Sequence, residues 1–167
     1  MESELGCDVV LCPRYSSGMK IVTAKGPRCG TSFVMQQCVK ACLPVNGVAF
    51  ISEALTPVEG NPDGYYEITS PPQAGMVQKV WPVDLVKIDP HDISALLVLD
   101  RRDKAALLES MTRQAQREKL DYPADTAYEE ISTTLQDYLD KTGIDYKLVY
   151  TEDLDNEIDA IIEYLGN

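Results

Sequence analysis

Residues 25–32 read KGPRCGTS, between an apolar run, MKIVTA, and a segment of helical spacing, FVMQQCVKACL. Gly26 and Gly30 would let the backbone turn tightly and approach a bound group closely. Thr31 and Ser32 offer hydroxyl donors where the free N–H groups of a helix start point the same way. Arg28 can fork two hydrogen bonds onto phosphate-like oxygens, with Lys25 and Pro27 completing the turn. The chemistry such a loop could do is to hold an oxyanion, although the Gly-Lys-Ser/Thr ending of the usual P-loop is missing. A plain strand–turn–helix junction is the alternative for the loop taken alone. Cys29 invites a nucleophile reading, because a thiol near a helix start has a lowered pKa. Cysteine phosphatase loops need an arginine six residues on, and position 35 is Met, so that reading is rejected.

The elements that must position this loop follow from periodicity. Residues 19–24 read as a short buried strand, and Val34, Cys38, Ala41 and Cys42 mark a helix that stops before Pro44. MVQKVW is a candidate second strand, and ISALLVLD (93–100) is the clearest buried strand. KAALLESMTRQAQREK is helical, with Leu108, Met111 and Ala115 along one stripe. Ala127, Ile131, Leu135 and Leu139 mark another amphipathic helix, closed by Gly143. YKLVY is a further strand, and Leu154, Ile158, Ile161 and Leu165 face inward on a closing helix. Strands alternating with helices imply an α/β fold in three layers, a mostly parallel sheet flanked by helices. Ligands of such sheets sit at the carboxyl ends of the strands. Lys25 and Arg28, Lys79 beside Trp81, and Arg101 and Arg102 are therefore expected on one rim.

The whole chain sets bounds. Its 167 residues favour one domain over 1–167, with 44–75 as an irregular loop or lid too long for a mere connector. The formal net charge of −12 argues against a nucleic-acid partner. From Asp121 onward 13 acidic residues face only Lys141 and Lys147, which reads as a solvated helical flank or, less simply, a face for a protein partner. No apolar stretch is long enough to span a bilayer, and the acidic start is unlike a signal peptide. The five cysteines lack the organised pairs of a zinc site, so reduced thiols, a cytoplasmic setting and no metal are expected.

LVLDRRDKAALLES adds a second half to the loop. With Gly26–Ser32, it makes the sequence resemble the sulfotransferase family, whose donor is 3′-phosphoadenosine 5′-phosphosulfate (PAPS). Bacterial members look like Gly-x-Pro-Arg-Ser-Gly-Thr-Ser after the first strand; here one residue fewer is present and Cys29 replaces Ser. They also carry an Arg at the end of a later strand and a Ser eight residues on, the spacing of Arg102 and Ser110. NPDGYYE (61–67) is similar to the family's Asn-Pro-x-Gly-Phe/Tyr-x-Glu segment, VQKVW to its Lys-containing strand, and LVYTEDL…EYLG to its closing pattern.

The resemblance implies a P-loop-like fold and a donor site. Lys25, Gly26, Pro27, Arg28, Cys29, Gly30, Thr31 and Ser32 would surround the 5′-phosphate, with Arg28 stabilising the bridging oxygen, and Arg102 and Ser110 would select the 3′-phosphate. Lys79 would join Arg28 in catalysis. Trp81 or a tyrosine could stack on adenine. Family members that use a histidine base carry it just after the second strand, where this chain has none. His91 precedes strand 93–100 and belongs at the wrong end of the sheet. Glu67 is the expected base, with Asp84 behind it. The acceptor, a small molecule or a peptide, is not named by these motifs. The alternatives are an inactive nucleotide-binding or interaction protein on the same fold, and a nucleotide kinase, for which Asp100 is the best available metal-binding residue.

Overall fold

The computed structural model describes residues 18–50, 63–119, 121 and 123–167. Cys7 and Cys12, the stretch 51–62 of the expected lid, and Asn61 and Pro62 of the NPDGYYE segment lie outside the described residues.

The apolar runs form parallel strands. Strand β1 (Met19–Ala24), β2 (Val77–Lys79), β3 (Ile93–Asp100) and β4 (Lys147–Tyr150) make one sheet in the order β2-β1-β3-β4. Every pairing is parallel, with Val22 opposite Lys79, Ala24 opposite Leu99 and Asp100 opposite Tyr150. Side chains of a strand alternate between faces, and this alternation divides the core. Val22, Ala24, Leu97 and Leu99 face one side, packed with Val34 and Met35, Leu107 and Met111, and Ile161 and Leu165. Ile21, Leu96 and Val98 face the other, with Leu85, Leu135 and Leu139.

These partners come from five helices. Helices α1 (Thr31–Lys40), α3 (Lys104–Arg117) and α5 (Leu154–Gly166) supply the first face; α2 (Pro82–Leu85) and α4 (Ala124–Thr142) supply the second. The sheet is thus covered on both sides, the α/β three-layer arrangement. On α3 Met111 and Ala115 are buried as expected, but Leu107 takes the buried place expected of Leu108, which is only partly covered. Gly143 caps α4 at φ 61°, where a left-handed residue ends the helix.

Cys29 and Cys38 are free and buried. Cys42 is disulfide-bonded, which corrects the expectation of reduced thiols throughout. It follows the last turn of α1 at φ 59°, outside the helical face that buries Cys38. Among the described residues no helix is long and apolar enough to cross a membrane.

Candidate functional site

The turn from β1 to α1 is held from behind. The Lys25 N–H donates to the Leu99 carbonyl at 2.9 Å, and the Thr151 hydroxyl lies 2.7 Å from the Cys29 carbonyl and 3.0 Å from that of Asp100. Arg28 sits at φ 64° and Gly30 at φ 97°. A positive φ is costly for a residue with a Cβ and marks sites where the surroundings over-determine the backbone. At Gly30 space also forbids a side chain, since an added Cβ would lie 2.6 Å from Leu154 Cδ1. Helix α1 then starts without a side-chain cap and without an acidic residue in its first turn. The positive end of its dipole is left for an external anion.

Three loops meet in front of this turn, at the carboxyl ends of β1, β2 and β3. They enclose a cleft of about 320 Å³ whose charged lining is Arg28, Lys79 and Arg101 against Glu67. A chain of net charge −12 thus presents a cationic cleft. Pro27, Gly30, Thr31 and Ser32 form its floor, and Ser110 and Gln114 of α3 one wall. Phe33, Tyr65 and Trp81 supply aromatic surface. Arg28 Nε donates to Ser110 Oγ at 3.2 Å. Burial, and then the neighbouring Arg117, lower the Arg28 pKa from its ordinary value; an arginine so placed remains a cation that gains from a bound anion.

Lys79 is the last residue of β2 and is 2% exposed. Its ammonium lies 2.7 Å from Glu67 Oε1 and 2.7 Å from the Tyr65 carbonyl, and 5.8 Å from the centre of the Trp81 ring. Burial pulls the Lys79 pKa down and the Glu67 carboxylate opposes that shift. Glu67 reaches this position because its backbone bridges Val48 while Tyr66 turns at φ 58°. Gln36 Nε2 donates to the Gly64 carbonyl at 2.9 Å, tying α1 to the same turn.

Of the expected site residues, Pro27, Arg28, Gly30, Thr31, Ser32, Glu67, Lys79 and Ser110 line the cleft together. The others lie elsewhere. Lys25 Nζ donates to Gln136 of α4 at 3.3 Å. Gly26 packs against the Tyr128 ring. The Cys29 side chain is fully buried, and burial, reinforced by Asp100, pushes its pKa up to about 12, the opposite of an activated thiol. Arg102 turns outward to Asp153 at 2.7 Å and lies over the Tyr150 ring. Asp84 pairs with Lys87, and His91 with Asp89 before β3. Asp100 faces Lys104 and the Tyr128 hydroxyl, outside the cleft lining.

Arg101, expected on the rim, does line the cleft, and Phe33, Tyr65, Gln36, Gln114 and Thr151 are cleft residues that the sequence reading left unassigned. Two signals were available. Phe33 and Gln36 fall on the first turns of α1 beside Ser32, and Gln114 lies one turn beyond Ser110 on α3. Searched against protein-family models and curated proteins, the chain matches none. What the arrangement can do is therefore read from its chemistry. It can hold an oxyanion between the α1 start and three cations, beside a carboxylate able to take a proton.

Proposed function

We propose that the chain binds PAPS in this cleft and transfers its sulfuryl group to a hydroxyl of a small-molecule or peptide acceptor. One observation carries the reading: Arg28, Lys79 and Arg101 converge on the uncapped start of α1 with Glu67 alongside. Sulfuryl transfer, like phosphoryl transfer, depends mainly on positioning and on stabilising charge at the leaving oxygen. In this reading Gly30, Thr31 and Ser32 hold the 5′-phosphate by backbone N–H and hydroxyl donors. Arg28 leaves Ser110 for the phosphate and bridging oxygen. The acceptor oxygen forms its bond to sulfur as the bond from sulfur to the bridging oxygen breaks. That electron pair stays on the bisphosphate product beside Arg28 and Lys79, and the acceptor's proton passes to Glu67. Phe33 and Trp81 offer flat surfaces for adenine or acceptor. Arg102 supplies the 3′-phosphate contact, and the reading needs no metal. The donor favours a cytoplasmic setting, whereas the disulfide at Cys42 favours an oxidising one.

The kinase alternative is weaker, because Asp100 is already engaged by Lys104 and Tyr128 and does not line the cleft. An inactive nucleotide binder on the same fold draws support from the Lys79–Glu67 pair, which engages the proposed base. Calorimetric titration with adenosine 3′,5′-bisphosphate (PAP), and separately with ATP, tests the donor. PAP should bind at least tenfold more tightly, and tighter ATP binding would sink the reading. Glu67→Gln separates enzyme from binder: turnover should fall while PAP affinity holds.

A further inference from the structure

Both residues expected to take the donor's 3′-phosphate are engaged within the protein. Ser110 accepts from Arg28, and Arg102 is paired with Asp153. The donors around Arg102 are also taken in detail. The Arg102 N–H donates to Glu152 Oε2 and the Asp103 N–H to Glu152 Oε1, both at 3.1 Å. One carboxylate thus spans two successive amides just before α3, as two oxygens of a phosphate would. Asp153 Oδ2 takes the Arg102 guanidinium at 2.7 Å, while that guanidinium lies 4.2 Å from the centre of the Tyr150 ring. Partial desolvation works to raise the Glu152 pKa, and the hydrogen bonds from Arg102 and Asp103 outweigh it, so the group stays a carboxylate.

We propose that Glu152 and Asp153 are a built-in counter-anion that competes with the 3′-phosphate for Arg102 and the amides before α3, and that they set the affinity for 3′-phosphorylated nucleotides. The inference rests on the donor reading above. A phosphate dianion cannot share two amides and one guanidinium with two carboxylates, because like charges at hydrogen-bond range repel. The carboxylates therefore swing out when the donor enters. Their backbone stays, since Leu154 packs against Gly30 and Thr151 holds the Cys29 and Asp100 carbonyls. Only side chains at the surface move: Arg102 is 54% and Asp153 40% exposed. The same carboxylates return as the bisphosphate product leaves.

The test compares PAP with adenosine 5′-monophosphate, which lacks the 3′-phosphate, by calorimetry on the wild-type chain, Asp153→Asn and Glu152→Gln/Asp153→Asn. Thermal midpoints verify that each variant is folded, and Asp153→Asn alone serves if the double variant is not. PAP affinity should rise about tenfold in the double variant, and by a smaller factor in the single one. Monophosphate affinity should stay within about twofold of wild type. PAP binding that is unchanged or weakened would overturn the inference and leave the donor reading standing. So would an equal gain for both nucleotides, which would mean a general charge effect. No PAP binding by any of the proteins would overturn both.

Discussion

Arg28 joins three properties. It holds a left-handed backbone, its side chain is half-buried, and its guanidinium donates a hydrogen bond to Ser110. Such a cation is poised to trade a neutral hydroxyl for a charged oxygen, and charge-assisted bonds are roughly twice as strong as neutral ones. Arg28→Ala should weaken PAP binding by about 10- to 100-fold, measured by calorimetry, with the thermal midpoint little changed. Arg28→Lys should recover little, because a point charge lacks the fork. Arg101 and Arg102 should divide the nucleotide between them. Arg101→Ala should weaken PAP and the 5′-monophosphate alike, whereas Arg102→Ala should weaken PAP alone. Sequence spacing singled out Arg102 by its distance from Ser110. Both arginines were expected on the rim, but the sequence could not foresee that of the two Arg101 alone lines the cleft, because Arg102 is drawn outward by Asp153 and Tyr150, far along the chain.

The β1–turn–α1 unit depends on Gly30 for both conformation and space. Gly30→Ala should destabilise the fold by about 1–3 kcal/mol through the left-handed backbone alone, with a further cost from displacing Leu154. Urea unfolding would measure the loss, and a change under a few tenths of a kcal/mol would contradict this account. That unit was legible in the sequence for a plain reason. An apolar run, a glycine turn and a 3.6-residue stripe each have one low-energy solution, and β1 and β3 form over the residues expected of them. Helix α2 was not legible. Its four residues begin at Pro82 after the β2 rim, and Val83 and Val86 stay exposed, so no amphipathic stripe announces it. The turn that presents Glu67 was equally hidden. It depends on a bridge to Val48 and on a left-handed Tyr66, neither of which has a local sequence signature.

At the scale of the whole molecule, charge and burial are separated. The acidic residues of α4 and α5 lie mostly on exposed faces, the cations meet in the cleft, and two thiols are sealed in the core between sheet and helices. That last feature makes stability fall in alkali. Burial raises the pKa of Cys29, with Asp100 adding to the shift, and burial raises that of Cys38, each from 9.0 to about 12. Between these values the unfolded chain has lost two protons that the folded protein keeps. More protons on the native state means that stability declines with rising pH, by up to about 1.4 kcal/mol per pH unit for each thiol. Lys20 and Lys79 act in the opposite sense, since burial lowers their pKa values and deprotonation relieves a cost that the folded state bears. The wild-type curve alone would mix the two. Cys29→Ala/Cys38→Ala removes only the thiols, so the wild-type minus variant difference in unfolding free energy isolates them. That difference, from urea titrations at intervals from pH 8 to pH 11.5, should be flat up to pH 9.0 and then fall steadily. A difference that stays flat would mean that the thiols ionise in the folded protein as readily as in the unfolded one, and the sealed core between α1 and the sheet would have to open to water.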